Sequence, residues 1–159
     1  MKMKTLTVFF SLVLMVLLSG FSGVEQVTEE AVHAYLERME RAFNNRDGDA
    51  VAVLIAPEAR IELEQTTKNG SERMSLSREE YRAALHGGLA QLDGYQYVMK
   101  NKRIMIAEDA KSADVSVKVV ESYSDKGKRM INETACKYKL VLKRGKITAV
   151  LITARGKGQ

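Results

Sequence analysis

Apolar side chains recur every three or four positions early in the chain. Val32, Tyr35, Leu36, Met39 and Phe43 would share one face of a helix. Thr28 and two glutamates precede this face, a pattern typical of a helix start, because the hydroxyl can accept from a free amide and acidic groups complement the helix dipole. The polar residues 44–49 then break the helix. Asp47 or Asp49 could cap a second, short helix, AVAVLIA, which we expect to continue until Pro57 stops it.

The pattern changes to alternation after Pro57. Ile61 and Leu63 point one way in RIELE and the charged residues point the other, as in a half-buried strand. Asn69-Gly70 predicts a tight hairpin with a return strand over residues 71–74. Ser77 and Glu80 form a predicted capping box that opens a third helix, and Asp93-Gly94 should end this helix. Strand-like runs come after it at about 95–107, 113–124, 128–143 and 146–154. The fold class is therefore α+β, with three N-terminal helices packed against a mostly antiparallel sheet.

The first residues have the layout of an export signal. Lys2 and Lys4 precede an apolar run of about 13 residues, shorter than the ~20 that a membrane-spanning helix needs. We predict a signal peptide over residues 1–22, a single domain over 23–159, and a periplasmic or secreted protein without stable membrane insertion after cleavage. Cys136 is the only cysteine, so no internal disulfide can form and stability must come from packing.

The order of elements, the polar break at Asp47 and the Ala-Pro-Glu-Ala-Arg-Ile strand entry resemble the nuclear transport factor 2-like superfamily, which includes ketosteroid isomerase and the SnoaL-like polyketide cyclases. The resemblance implies a cystatin-like, cone-shaped sheet that curves around the helices, with an interior pocket at its mouth. It also places the isomerase's catalytic aspartate at or next to Leu63 and its tyrosine near Met39. Neither residue can perform proton transfer, so we predict no catalytic residue.

Other chemical motifs are sparse. His33 and His86 lie on different predicted helices without metal-ligand spacing, and each flanks an apolar stripe where a partly exposed histidine is ordinary. We therefore predict no metal and no cofactor.

The strand over 128–143 predicts which side chains face the helices. Its inward set changes from polar, at Asn132 and Thr134, to apolar, at Leu140 and Leu142, which suits a cone with a wet mouth and a closed end. The predicted pocket lining is Tyr35, Met39, Leu63, Tyr81, Tyr97, Asn132, Thr134, Cys136 and Tyr138. These residues would suit a medium-sized, mostly apolar ligand, but the same residues would also describe a filled core.

Charge is distributed unevenly along the chain. Residues 24–94 carry 8 basic and 14 acidic side chains, whereas residues 95–159 carry 15 and 6. The overall balance is too weakly basic for a nucleic-acid-binding protein. The outward face of the late strands should carry six lysines, which would oppose a symmetric dimer through this face unless Glu121 and Glu133 interleave with them; they are Lys100, Lys102, Lys118, Lys137, Lys139 and Lys143.

Three functions remain open from the sequence. The first is an exported module that binds a small apolar molecule without chemistry. The second is an isomerase, dehydratase or cyclase that uses Tyr35 or Tyr138 with a histidine or an unforeseen carboxylate. The third is an interaction protein, or a homodimer, that acts through the lysine-bearing sheet face.

Overall fold

A computed structural model describes residues 23–68 and 70–157. The predicted signal peptide and Asn69 lie outside these residues. The helices are α1 (Glu29–Asn44), α2 (Gly48–Val53) and α3 (Arg78–Leu89). The strands are β1 (Ile55–Thr67), β2 (Gly70–Ser77), β3 (Asp93–Ile106), β4 (Ser112–Asp125), β5 (Lys128–Lys143) and β6 (Lys146–Lys157).

The helix starts agree with the predicted caps. The Thr28 hydroxyl accepts from the amide of Ala31, the Asp47 carboxylate accepts from the amide of Ala50, and Ser77 with Glu80 completes the capping box. Each side chain satisfies an amide that the helix leaves without a partner.

Two helix ends differ from the prediction. Helix α2 ends at Val53 and not at Pro57, because Ile55 already pairs with Ala149 of β6. Pro57 lies in β1 where the pairing register shifts between Ile55 and Arg60, so the ladder needs no amide there. Helix α3 ends at Leu89, and Asp93 and Gly94 begin β3 instead of capping the helix.

The six strands form one curved, unclosed sheet in the order β2-β1-β6-β5-β4-β3. Strands β1 and β6 pair in parallel, and all other neighbours pair antiparallel. The predicted α+β fold class is confirmed. The hairpin turns at Lys126-Gly127 and Arg144-Gly145 have positive φ at both residues, as a two-residue turn between twisted strands requires. The hairpin before β2 also forms, with Thr67 opposite Gly70, and its return strand extends to Ser77 rather than to Met74.

Helix α1 covers the free edge of β3. The Asn44 side chain donates to the carbonyl of Tyr97 and accepts from its amide, both at 2.8 Å. The Glu40 carboxylate accepts from the amide of Met99 at 3.0 Å. These side chains take the place of a further strand and satisfy edge groups that would otherwise face water or another chain.

The core lies between α1 and the inner face of the sheet. Val32, Tyr35, Leu36 and Met39 of the predicted helix face are all 1% exposed or less, and they pack with alternate residues of the strands. The Tyr35 hydroxyl donates to the carbonyl of Leu54 at 3.0 Å, the same carbonyl that accepts from Ala149 of β6. Tyr35 therefore joins α1, the end of α2 and the sheet.

Candidate functional site

A cavity of about 760 Å³ lies between α3, the end of α1 and the inner face of the sheet. Tyr81, Leu85 and Leu89 of α3 are spaced four residues apart, so one stripe of this helix lies along the cavity. On the sheet side, β1 contributes Leu63 and β6 contributes Ile152 and Ala154. The sheet does not close into a barrel, and the space that helix and sheet leave between them is the cavity.

The inner end of the cavity is apolar and aromatic. The ring of Phe43 stacks on that of Tyr97 with centroids 4.3 Å apart and 6° between planes. The hydroxyls of Tyr97 and Tyr138 are 3.5 Å apart. Cys136 and Val119 complete the buried wall. An apolar ligand here would exchange water for contacts with ring faces and aliphatic groups.

A second part of the cavity wall is polar, and it adjoins the aromatic part at Tyr97. Tyr97, Glu121 and Asn132 are direct cross-strand partners on β3, β4 and β5, so their side chains form one row on the inner face. The Tyr95 hydroxyl donates to Oε1 of Glu121 at 2.5 Å. The Asn132 amide lies 3.4 Å from the hydroxyl of Tyr123. A half-buried carboxylate thus faces the cavity with one oxygen held by a tyrosine.

Seven of the nine predicted lining residues come together around this cavity. They are Leu63, Tyr81, Tyr97, Asn132, Thr134, Cys136 and Tyr138. Tyr35 and Met39 are not among the lining residues, because both are fully buried in the packing behind the cavity wall. The exposure along β5 decreases from Asn132 towards Leu140, in line with the predicted change from a polar to an apolar end. Side chains do not fill this space. Leu140 and Leu142, which belong to the predicted apolar end, do not line the cavity.

Glu121 lines the cavity, which contradicts the prediction that it lies among the lysines of the outward face. The alternation of β4 contains the necessary signal. Val115, Val117 and Val119 are buried, so the same parity turns Glu121 inward, whereas Lys118 and Val120 face outward. A charged residue at an inward position breaks the apolar pattern, so hydrophobicity alone favours the outward face for Glu121.

Burial favours the neutral forms of Cys136 and of four tyrosines at or beside the cavity. Burial raises the pKa of Cys136 to about 12, and the nearby charge of Glu121 adds to this shift. Burial likewise raises the pKa of Tyr81, Tyr97 and Tyr138 above the ordinary tyrosine value. Burial and then the Glu121 carboxylate raise the pKa of Tyr95. These tyrosines are therefore neutral hydroxyl donors and acceptors at physiological pH.

Other candidate chemistry lies away from the cavity. The imidazole of His86 is 3.1 Å from Asp49 of α2, and that of His33 is 3.8 Å from Glu29. Both pairs are on exposed helix surfaces, and neither histidine lines the cavity. Over residues 23–68 and 70–157, no group of three or more His, Cys, Asp or Glu side chains could hold a metal ion. Over the same residues, no helix combines the length and apolar character needed to cross a membrane.

The lysine-bearing outer face is partly neutralised by acidic side chains. Lys118 pairs with Glu133 at 2.5 Å, Lys139 pairs with Asp114 at 3.4 Å, and Lys143 pairs with Glu58. Lys102 does not take its predicted outward position. Asn101 has a positive φ of 52°, and the register shifts between Lys100 and Arg103, so Arg103 is the next residue after Lys100 on the outer face.

No protein-family model matches the chain. No curated protein matches it either. Solved structures share its fold at low sequence identity. A protein from Novosphingobium aromaticivorans, assigned as the β subunit of an aromatic-ring-hydroxylating dioxygenase, has a TM-score of 0.67 at 9% identity over 82% of this chain and 90% of that one.

Two further structures come from the same organism. A protein described as nuclear transport factor 2-like with a cystatin-like fold has a TM-score of 0.62 at 14% identity, over 80% of each chain. A protein assigned as a scytalone dehydratase has a TM-score of 0.61 at 15% identity, over 80% of this chain and 82% of that one. The expected resemblance thus holds at the level of architecture, and the chain has the cystatin-like fold of the nuclear transport factor 2-like proteins.

Proposed function

We propose that this protein is an exported module that binds a medium-sized, mostly apolar small molecule in the cavity beneath α3. The observation that carries the proposal is the cavity itself, which has a volume of about 760 Å³ and a buried aromatic wall. Ligand pockets in proteins span roughly 300–1,000 Å³ and combine an apolar lining with few polar groups. The proposed export rests on the N-terminal sequence pattern.

Native mass spectrometry of the protein purified from its own cells tests this proposal. We expect a bound small molecule that Ala154→Phe removes, because Ala154 lines the cavity beside Leu63 and Cys136, its cross-strand partners. Ala135→Phe is the matched control, since Ala135 on the neighbouring strand is exposed on the opposite face of the sheet. Empty wild-type protein, or a ligand that the Ala154→Phe variant retains in full, would contradict the proposal.

One observation favours a second candidate, a proton-transfer enzyme of the isomerase or dehydratase type. Glu121 faces the cavity, and its Oε1 accepts from the Tyr95 hydroxyl at 2.5 Å while Oε2 accepts from no described residue. A carboxylate fixed through one oxygen leaves the other free to remove a proton next to a carbonyl, and a neutral tyrosine could donate to the oxygen on which charge develops. Tyr97 and Tyr138 are the cavity hydroxyls placed for this role.

Deuterium exchange into 2-tetralone, an aromatic ketone with acidic α-protons, tests this second candidate by proton NMR in D₂O. We expect the wild type to accelerate exchange and Glu121→Gln to abolish the acceleration, because the amide cannot accept the proton. Tyr35→Phe is a control, since the Tyr35 hydroxyl bonds to Leu54 away from the cavity. Equal exchange by the wild type and the Glu121→Gln variant would exclude Glu121 as a base.

A further inference from the structure

The polar end of the cavity contains an acceptor that lacks a second donor. Glu121 receives one hydrogen bond, from Tyr95 to Oε1, and no residue over 23–68 or 70–157 donates to its Oε2. An ionised carboxylate can only accept hydrogen bonds, and its two oxygens can accept about four. Asn132 and Tyr97 flank Glu121 in the same cross-strand row. A ligand in the cavity would therefore gain a hydrogen bond if it placed a donor next to Oε2 of Glu121.

The charges around the cavity oppose an anionic ligand. Its acidic lining residues are Glu64, Glu72, Glu121 and Glu133, and its basic ones are Arg73 and Lys157. Glu64 pairs with Arg155 at 2.9 Å and Glu133 pairs with Lys118 of the outer face, so Glu121 is the acidic group that a ligand in the cavity would meet. Both basic residues are exposed, and the guanidinium of Arg73 lies 3.6 Å from Glu64. A ligand carboxylate next to Glu121 would lose hydration and meet a like charge, both of which oppose binding.

We infer that the ligand is an apolar molecule with a hydroxyl or ammonium donor directed at Glu121, and without a carboxylate at that end. This inference rests on the proposed binding function and specifies its chemical class. The aromatic wall accommodates the apolar body, and the row of Tyr97, Glu121 and Asn132 selects the head group. Either donor would make a charge-assisted hydrogen bond to the carboxylate, and an ammonium group gains most because it adds the attraction between two full opposite charges.

Three pyrene probes with one aromatic body and different head groups test the inference by fluorescence titration: 1-pyrenemethanol, 1-pyrenemethylammonium and 1-pyrenecarboxylate. We expect wild-type protein to bind the ammonium and alcohol probes at least about tenfold more tightly than the carboxylate, a difference of about 1.4 kcal/mol, because only the first two can donate to Glu121. Glu121→Gln should remove the preference for the ammonium probe, because it removes the charge and nearly preserves the shape.

Glu62→Gln is the control for net charge. Glu62 lies on the outer face of β1, where it pairs with Arg60 at 2.7 Å, and it does not line the cavity. The Glu62→Gln variant should retain the wild-type order of affinities. Equal affinity for all three probes, or the same order of affinities in Glu121→Gln as in the wild type, would overturn the inference while leaving the binding function intact. Failure of every probe to bind, or undiminished binding to the Ala154→Phe variant, would instead reject the proposed function.

Discussion

At Tyr97, the free edge of β3 is bound by one asparagine side chain, that of Asn44. In the Asn44→Ala variant, the amide and carbonyl of Tyr97 each lose a partner at 2.8 Å. A hydrogen bond of this kind contributes roughly 1 kcal/mol net, so the expected loss of unfolding free energy is about 2 kcal/mol. We expect no larger loss of unfolding free energy, because Asn44 is exposed and water can reach the strand edge once the side chain is removed. The loss should appear in urea denaturation monitored by circular dichroism, as a lower midpoint with an unchanged slope.

Asn45→Ala provides a matched control for this experiment. Asn45 is the next residue, is also exposed, and makes no side-chain hydrogen bond with the described residues. The two variants carry the same chemical change at the same helix end, so helix propensity largely cancels between them. We expect Asn45→Ala to stay within about 0.5 kcal/mol of the wild type, as surface substitutions usually do. Similar unfolding midpoints for the two variants would refute the role assigned to Asn44.

Two further predictions concern the turn before β6 and the buried thiol. Gly145→Ala should destabilise the protein more than Gly127→Ala in thermal unfolding: both glycines have positive φ, but a Cβ at Gly145 would lie 2.9 Å from the Cα of Gly23, whereas at Gly127 it would meet nothing within 4 Å. Equal destabilisation would contradict this contact. Cys136 should resist labelling by a thiol-reactive disulfide at pH 8 until urea unfolds the protein, because its pKa of about 12 leaves little thiolate. The Cys136 thiol ionises at a lower pH in the unfolded protein than in the folded one. Its contribution to the free energy of unfolding is therefore present below the ordinary pKa of about 9 and is lost as the pH rises towards 12. Rapid labelling of the folded protein at pH 8 would contradict the burial.

Local patterns were sufficient to predict most of the architecture. Caps at Thr28, Asp47 and Ser77 depend on contacts within three residues, and the alternation of β5 depends on a period of two, so neither needs knowledge of the fold. The end of α2 could not be predicted in this way. Ile55 leaves the helix because β6, more than 90 residues later, supplies Ala149 as its strand partner.

The candidate site was only partly predictable, for a related reason. Seven of the predicted residues lie around the cavity because they face the helices, whereas Tyr35 and Met39 share that direction but are buried in the core. The outward prediction for Lys102 failed at a bulge that Asn101 introduces, since one extra residue reverses the inward and outward positions in the rest of the strand. The inward direction of Glu121 follows from the alternation of its own strand. Its hydrogen bond with Tyr95 could not be predicted, because the register between β3 and β4 shifts at Tyr95 and sequence spacing does not reveal that shift.

The same edge strand connects the stability of the fold to the chemistry of the site. Strand β3 carries Tyr97 on the cavity wall and Tyr95 on the Glu121 carboxylate. Its pairing with β4 shifts register on both sides of residues 96–100, so these residues form one regularly paired segment. Asn44 and Glu40 of α1 contact the free edge within this segment. Because β4 is the only strand that pairs with β3 in the described sheet, the position of Tyr97 depends on the Asn44 side chain of α1 as well as on β4. Loss of the Asn44 contacts should therefore displace Tyr97 on β3 before it disturbs the cavity residues on β5 and β6.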